Sequence, residues 1–180
     1  MQYTAKYHSP LGEMLLAADA VGLTGLWFAG EKFFAAGLDP EHEEGNLPVF
    51  ETAGKWLDLY FSGKEPDFMP PIHMIGSPFR LDVWKLLRQI PYGQTVTYGE
   101  LAKTIARQRG LPRMSAQAIG GAVGHNEISI IVPCHRVVGA DGSLTGYAGG
   151  LDKKERLLAL EGVTMEKLFL PTKGAAFHES

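Results

Sequence analysis

A proline-rich segment, residues 64–76 (KEPDFMPPIHMIG), divides this 180-residue chain into two stretches with different residue patterns. Proline has no backbone N–H and a fixed φ, so neither a helix nor a central strand runs through such a segment. The segment therefore predicts a linker. We expect a first domain with its linker over residues 1–76, a second domain over residues 77–162 and a C-terminal tail over residues 163–180.

The first stretch has the pattern of a small sheet followed by a helix. Short apolar runs at residues 3–8, 14–19 and 21–28 predict three strands in a meander. The acidic residues 38–48 predict a solvated loop or helix end. Apolar residues at helical spacing predict a helix over residues 49–62. We therefore expect an α/β domain with a small antiparallel sheet.

The second stretch has a mostly helical pattern. Ser77 as N-cap and Pro78 at the first helical position predict the start of a helix, which the apolar spacing of residues 79–90 continues. Two short helices, residues 98–106 and 116–124, flank a basic turn at residues 107–113. Two helices joined in this way are typical of a helix-turn-helix. A last helix is predicted over residues 151–160.

An Asp-Gly pair at residues 141–142 predicts a hairpin over residues 137–147. Together the two stretches predict an α+β protein. Its N-terminal α/β domain is followed by a mostly helical C-terminal domain that contains a helix-turn-helix.

The chain contains a single cysteine, and this count excludes several classes of protein. One thiol forms neither an intrachain disulfide nor a thiolate-rich zinc site, and it fits a reducing compartment. No apolar run approaches the length of a membrane span, and the N-terminus has no signal-peptide core. We therefore expect a cytoplasmic protein without membrane association. Its content of hydrophobic residues, 45%, is ordinary for a globular protein with one buried core per domain.

The charge is distributed unevenly between the two stretches. Residues 77–162 hold eleven Lys or Arg and seven Asp or Glu, a net charge of +4, whereas the remainder has a net charge of −7. A basic balance suits a phosphate-backbone partner, although an excess of four charges also arises by chance.

The pentapeptide Pro133-Cys134-His135-Arg136-Val137 places the single cysteine directly before a histidine. The thiolate is the reactive form of cysteine, and a nearby base favours it, so Cys134 is a candidate nucleophile with His135 as candidate base. The alternative is a small buried apolar residue, which most free cysteines are. Neighbours on an extended chain point to opposite faces, so coupling of the two side chains requires a turn or a bridging water.

Two long stretches around this pentapeptide resemble the O6-alkylguanine-DNA alkyltransferases, also called methylated-DNA–protein-cysteine methyltransferases. They are SPFRLDVWKLLRQIPYGQTVTYGELA and AIGGAVGHNEISIIVPCHRVVGADGSLTGYAGGLDKKERLLALEG. Together they cover nearly all of residues 77–162, and the PCHRV box in this setting is highly specific. The N-terminal stretch resembles the variable first domain of the family only loosely.

The resemblance implies a catalytic role for five residues. Cys134 would accept the alkyl group, His135 would relay its proton through a water, and Glu161 would orient the imidazole. Asn126 would brace the turn that holds the site, and Tyr98 would contact the flipped nucleotide.

The resemblance also implies the DNA contacts. The helix of residues 115–124 would enter the minor groove, and residues 147–150 would wall the guanine pocket. The implied substrate- and DNA-binding residues are Ser115, Ala116, Gln117, Gly120, Arg136, Tyr147, Ala148 and Gly149.

Each implied role has a structural alternative. Glu161 lies at a helix end where a carboxylate is unfavourable to the helix dipole, which favours a partner for it. Asn126 follows a histidine and a glycine and is also a common helix terminator. Tyr98 has the character of a core aromatic. The small residues of 116–122 either pack helix on helix or let the backbone approach DNA.

One position departs from the family pattern. Where the family commonly has an arginine that fills the gap left by the flipped base, this chain has Gln117. Glutamine forms hydrogen bonds but lacks the charge and stacking plane of arginine. The turn of residues 107–113 also looks longer than in many members.

The resemblance implies DNA repair by direct reversal. An alkyl group would move from O6-alkylguanine, or O4-alkylthymine, in double-stranded DNA to Cys134 in a single turnover, with no cofactor and no catalytic metal. A monomer in a bacterial or archaeal cytoplasm is expected. The rivals are a lesion-recognition or regulatory module without transfer, and a thiol hydrolase or transferase unrelated to DNA.

Overall fold

The computed structural model describes residues 1–164 and Leu168, so most of the predicted tail lies outside the described residues. Contacts between residues divide the chain into two compact units. The first comprises Met1–Ile75 and Glu127–Ser129, and the second comprises Gly76–Asn126 and the chain from Ile130 onward. This differs from a single boundary near residue 76, because a three-residue piece of the predicted second domain packs with the first.

The first unit is built on a four-stranded sheet. Its strands are β1 (Gln2–Ser9), β2 (Gly12–Ala18), β3 (Leu23–Phe28) and β4 (His42–Glu44), in the order β3-β2-β1-β4. The first three are antiparallel neighbours, as the meander predicts. β4 lies within the acidic segment predicted as loop or helix end, and it pairs in parallel with β1, so the sheet is mixed. Its three side chains are exposed, which explains why no apolar pattern reveals it.

Helix α1 (Pro48–Phe61) follows the sheet, as the apolar spacing predicts. Pro48 occupies the start of the helix, where its missing N–H leaves no bond unmade. The helix buries one face composed of Phe50, Ala53, Trp56, Leu57 and Tyr60.

The predicted linker is not a free connection. Leu23 of β3 donates its N–H to the Pro71 carbonyl at 2.9 Å and accepts the His73 N–H at 2.7 Å. His73 also bonds the Asp19 carboxylate through Nδ1 at 2.6 Å. Residues 71–73 thus extend the sheet of the first unit, even though Pro71 and the preceding Pro70 exclude a regular strand.

Among the residues that the structure describes, the second unit contains four α-helices: α2 (Pro78–Leu87), α3 (Tyr98–Gln108), α4 (Ala116–Gly124) and α5 (Leu151–Leu160). The α+β class with a helix-turn-helix is confirmed, with α3 and α4 as its two helices. α2 begins at Pro78 as predicted, with the Ser77 hydroxyl accepting the Arg80 N–H, but it ends before residue 90.

The core of these helices centres on Trp84. Its indole is buried, and its Nε1 donates to the Ala122 carbonyl of α4 at 2.8 Å. The position of Gly76 requires glycine, because a Cβ there would lie 2.7 Å from the Trp84 ring. α2 therefore supports α4 by both packing and a buried hydrogen bond.

The hairpin predicted over residues 137–147 does not form. The Asp141-Gly142 turn is present, with the Gly139 N–H bonded to the Ser143 carbonyl at 2.9 Å. Its first arm instead pairs elsewhere: β6 (Val137–Val138) lies parallel to β5 (Val96–Thr97). A local turn signal does not reveal such a pairing across some forty residues. In the described part of the chain, no helix is both long and apolar enough to span a membrane.

Candidate active site

Cys134 lies at the start of a 3₁₀ turn, Cys134–Arg136, and only 6% of its surface is exposed. The preceding proline has φ −82° and ψ 65°, and the Cys134 N–H reaches back to the Val132 carbonyl at 2.8 Å. This is an inverse γ-turn. Two tight turns in succession, not an extended strand, therefore present the thiol and its histidine neighbour.

A strained residue precedes these turns. Ile130 is buried and has φ +68°, in the left-handed region. This region is unfavourable for a β-branched side chain and costs roughly 1–3 kcal/mol. Such strain persists only where the surrounding structure holds the residue in place.

Asn126 braces the same loop from the end of α4. Its side chain is buried, and Nδ2 donates to the Val132 carbonyl at 2.9 Å. That carbonyl therefore accepts both the Asn126 amide and the Cys134 N–H. The alternative of a simple helix terminator does not account for a bond across six residues.

His135 and Glu161 form a buried pair. His135 Nε2 lies 2.5 Å from Glu161 Oε2, and neither side chain is exposed to solvent. Glu161 caps the C-terminal end of α5, directly after Leu160. The hydrogen bond fixes the imidazole tautomer, because a carboxylate accepts and Nε2 must then carry the proton.

Arg136 completes this buried cluster. Its Nε donates to Glu161 Oε1 at 2.8 Å, its Nη2 to Oε2 at 3.2 Å and its Nη1 to the Ile90 carbonyl at 2.7 Å. The guanidinium also lies 5.7 Å from the centre of the Tyr92 ring. Arg136 is only 8% exposed. The structure thus buries Arg136 inside the cluster, whereas the resemblance implied a substrate- or DNA-binding role for it.

A glycine provides the fourth hydrogen bond to the carboxylate. The Gly93 N–H donates to Glu161 Oε1 at 2.9 Å. Gly93 has φ +78°, and a Cβ there would lie 3.2 Å from the Glu161 carbonyl, so only glycine fits without displacement. Both carboxylate oxygens are therefore fully engaged.

These contacts determine the charge states. Burial lowers the pKa of His135, and the charges of Arg136 and Lys154 lower it further, against the opposing effect of Glu161. Burial alone would raise the pKa of Glu161, but hydrogen bonds and charge interactions with His135 and Arg136 lower it to about 2. At neutral pH the site holds a neutral imidazole against an ionised carboxylate.

Lys154 is a residue of this site that the sequence analysis missed. It lies on α5, is fully buried, and donates through Nζ to the carbonyls of Val137 and Thr145. Its Nζ also lies 5.8 Å from the centre of the Tyr98 ring. The signal was available, since Lys154 lies seven residues before Glu161 and hence on the same face of the helix.

Tyr98 is the first residue of α3, and it is half-buried. Its hydroxyl donates to the Thr145 carbonyl at 2.8 Å, the same carbonyl that Lys154 contacts. A Cβ on Gly120 of α4 would lie 4.0 Å from the Tyr98 ring. Tyr98 therefore lies between α4 and the segment after residue 144, and is not a fully buried core aromatic.

The predicted pocket wall lies beside the histidine. The Tyr147 ring is 7% exposed and meets the His135 ring edge-on, with ring centres 6.5 Å apart. Ala148 and Gly149 are half-buried. The Gly150 N–H bonds the Tyr147 carbonyl at 3.0 Å, which closes a turn at this point.

The first turn of α4 presents the predicted DNA-contacting residues to solvent. Ser115 caps the helix, its hydroxyl accepting the N–H groups of Gln117 and Ala118 at 3.1 and 3.2 Å. Ser115, Ala116 and Gln117 are all exposed. Small residues and one glutamine therefore form an accessible helix end.

The basic turn before α4 is only partly available to a partner. Arg109 is paired with Asp82 of α2 at 2.8 Å and lies 5.4 Å from the centre of the Phe79 ring. Arg107 and Arg113 are exposed. One of the three arginines in this turn is therefore held by an intramolecular ion pair.

Comparison with known proteins finds family matches over both stretches of the chain. Residues 78–163 match the family model described as "6-O-methylguanine DNA methyltransferase, DNA binding domain". Residues 2–74 match the model described as "6-O-methylguanine DNA methyltransferase, ribonuclease-like domain". The two models together cover most of the chain.

Curated relatives and solved structures agree. A methylated-DNA–protein-cysteine methyltransferase of Methanosarcina acetivorans is 46% identical over 161 residues, which is 89% of this chain and 98% of that protein. One of the same name from Haemophilus influenzae is 40% identical, over 89% of this chain and 87% of that protein. The crystal structure of Mycobacterium tuberculosis OGT in complex with DNA matches with a TM-score of 0.75 and 40% identity, covering 88% of this chain and 92% of that one. The chain belongs to the 6-O-methylguanine DNA methyltransferase family.

Proposed function

We propose that this protein repairs DNA by direct reversal, moving an alkyl group from O6 of guanine in a duplex to Cys134. The observation that carries the proposal is a buried cluster: His135 and Arg136 directly follow the single cysteine in the chain, and both bond the Glu161 carboxylate. A structural cysteine needs no such neighbours, whereas a nucleophilic thiol needs a group that takes its proton. The names of the relatives and the DNA complex of one solved structure support the choice of substrate.

The cluster supports a proton relay from the thiol. Because His135 Nε2 is bonded to Glu161, Nδ1 is the nitrogen that would take the Cys134 proton through a bridging water. The lowered pKa of His135 keeps the imidazole neutral and able to accept. The ionised Glu161 then stabilises the imidazolium that forms.

The chemistry balances as a displacement at carbon. The Cys134 sulfur forms a bond to the alkyl carbon while the bond between that carbon and guanine O6 breaks. The electron pair leaves on the base, which takes up one proton, and the thiol loses one. The product is a thioether that the site does not hydrolyse, so each molecule acts once.

We assign to the Tyr98 hydroxyl the role of hydrogen-bond donor to the departing base. This hydroxyl bonds the Thr145 carbonyl, and Lys154 donates to the same carbonyl. When a base enters, Lys154 keeps that carbonyl satisfied, so the Tyr98 hydroxyl is able to donate to the base instead. A hydrogen bond to the developing negative charge lowers the barrier.

The exposed first turn of α4 is the surface we assign to DNA. The reactive atom lies inside a duplex, so the base must rotate out of the stack at a cost of a few kcal/mol. Small residues at the start of α4 permit close approach of the helix to the DNA backbone. We assign to the exposed Gln117 the hydrogen bond to the orphaned partner base. Because DNA is the substrate and the thiol must stay reduced, we infer a cytoplasmic location.

The test is the fate of the DNA. A duplex with one O6-methylguanine is mixed with increasing protein, and the bases are separated and quantified. The proposal predicts that O6-methylguanine disappears, that guanine appears in equal amount, and that repair stops at one base per protein molecule. Binding without loss of O6-methylguanine would favour a lesion-recognition module, and repeated turnover on small acyl esters would favour a thiol hydrolase.

A further inference from the structure

The outer strand of the first unit's sheet is unusually well covered. β3 lies at the end of the strand order, yet all six of its residues are buried. An edge strand normally presents unpaired backbone groups to solvent. Here residues 71–73 pair with Leu23, and a second segment, Glu127–Ser129, pairs with Leu26.

The second segment is bonded to β3 in the manner of a short parallel strand. The Leu26 N–H donates to the Glu127 carbonyl at 2.8 Å, and the Ser129 N–H donates to the Leu26 carbonyl at 2.9 Å. Ile128 and Ser129 are buried. These three residues accordingly group with the first unit, although the chain on both sides of them belongs to the second.

A side-chain clamp reinforces this pairing. The Trp27 indole is 1% exposed, and its Nε1 donates to Glu127 Oε2 at 2.8 Å. The Gly37 N–H donates to the same oxygen at 3.3 Å. A Cβ on Gly37 would lie 3.1 Å from the carboxylate, so the glycine allows this close approach. Charged acceptors form the stronger class of hydrogen bond.

The loop that carries Cys134, residues 130–134, begins directly after the segment Glu127–Ser129 that is bonded to β3. Ile130, with its positive φ, directly follows Ser129, and Cys134 comes four residues later. The far side of the loop is held by Asn126 through the Val132 carbonyl. Strain at a buried residue persists only where the surrounding structure holds that residue, so we expect the conformation at Ile130 to depend on the attachment of the preceding segment to β3.

We propose that Glu127 is a positioning residue for the acceptor cysteine: by holding Glu127–Ser129 on β3, it fixes the upstream end of the loop that carries Cys134. The proposal rests on Cys134 being the alkyl acceptor. Displacement reactions are sensitive to the position of the nucleophile, and a misplacement of about 1 Å costs on the order of 100-fold in rate.

The experiment compares three variants of the full chain. Glu127→Ala removes the acceptor of the Trp27 and Gly37 bonds, and Glu127→Gln keeps an oxygen at the same place. Asp58→Ala is the matched control, because it removes a carboxylate that accepts from an aromatic side chain, Tyr7, at 2.7 Å elsewhere in the first unit. Three quantities are measured: the single-turnover rate of methyl transfer, the affinity for the duplex, and the pH dependence of Cys134 alkylation by iodoacetamide.

We expect Glu127→Ala to slow methyl transfer by about 10- to 100-fold with unchanged duplex affinity, and to alter the pH profile of iodoacetamide alkylation. Glu127→Gln should restore most of the rate, and Asp58→Ala should leave it unchanged. Equal rates in Glu127→Ala and the unmodified protein would overturn the proposal, and so would an equal loss in Asp58→Ala. If Glu127→Ala does not fold, Trp27→Phe is used instead, because it removes the Nε1 donor. We then expect the same loss of about 10- to 100-fold in methyl-transfer rate, and an unchanged rate would overturn the proposal.

The two proposals fail in different ways. If the unmodified protein transfers no methyl group, the proposed function is wrong. The iodoacetamide reaction does not require DNA, so it still decides whether Glu127 positions Cys134.

Discussion

His135 Nε2 and Glu161 Oε2 lie 2.5 Å apart with both side chains withdrawn from solvent. Arg136 and Gly93 occupy the remaining positions around the carboxylate. A buried carboxylate that accepts four hydrogen bonds has little freedom to rotate. The pair therefore holds the imidazole in one orientation and one tautomer, which is what a proton relay to the neighbouring thiol requires.

Glu161→Gln tests this arrangement. The substitution leaves the Arg136 guanidinium buried without its counter-charge, so we expect the free energy of unfolding to fall by about 3 kcal/mol. The folded variant should transfer alkyl groups more slowly, and the pKa of the thiol should rise. Denaturant unfolding gives the first quantity, and the rate of transfer between pH 6 and 9 gives the second. A transfer rate equal to that of the unmodified protein at every pH from 6 to 9 would contradict the proton relay.

The acid sensitivity of the fold follows from the same pair. The pKa of Glu161 is lowered from 4.5 to about 2, so its contribution to stability is present above pH 4.5 and is lost as the pH falls towards 2. The pKa of His135 is lowered from 6.5, so the neutral form favours folding and its contribution is lost as the pH falls below 6.5. Thermal unfolding between pH 2 and 8 should show stability rising with pH and levelling above pH 7. Glu161→Gln should reduce the dependence of stability on pH between pH 2 and 4.5. The same dependence in the variant and the unmodified protein would contradict the lowered pKa of Glu161.

Lys154→Met tests the buried lysine. The substitution keeps most of the side-chain volume but removes the donor to the Val137 and Thr145 carbonyls. The Val137 carbonyl loses a buried donor, so we expect a destabilisation of roughly 1–3 kcal/mol. The Thr145 carbonyl still accepts the Tyr98 hydroxyl, which is then less available to donate to the departing base, so we also expect slower alkyl transfer. Arg156→Met, at an exposed position of the same helix, serves as the control and should be nearly neutral. Equal unfolding midpoints for the two variants would contradict the role of Lys154.

Gln117→Arg tests the departure from the family pattern. Gln117 is exposed at the start of α4, so the substitution adds a charge and a stacking plane without disturbing the core. We expect tighter duplex binding or faster transfer, with a steeper dependence of affinity on salt. Gln89→Arg adds the same charge at an exposed position after α2 and should not speed transfer. No difference between the two variants would mean that position 117 does not contact the flipped site.

The sequence predicts best where the signal is local. The first three strands, α1, α3, α4 and α5 lie close to their predicted positions, because apolar periodicity and capping residues act within a few residues. The predictions for β4 and for the hairpin after Cys134 are wrong. Both depend on pairing with distant strands, which neither a local charge run nor a turn dipeptide reveals.

For the site, the resemblance implies roles for residues but says little about the environment of each side chain. The His135–Glu161 contact was expected, and the structure places those side chains together. The burial of Arg136 was not expected, because a basic residue in a motif gives no indication of which side chain accepts from it. The pairing of Glu127 with β3 was also not foreseen, since nothing near residue 127 in the sequence points to a contact with Trp27, one hundred residues earlier.

The measurement that tests the central claim most directly is the intact mass of the protein after incubation with a duplex carrying one O6-methylguanine. The account predicts a stoichiometric gain of one CH2 unit, located by peptide analysis at Cys134, and no gain in Cys134→Ala even though that variant still binds the duplex. An unchanged mass in the unmodified protein, or a gain on any other residue, would contradict the assignment of Cys134 as the alkyl acceptor.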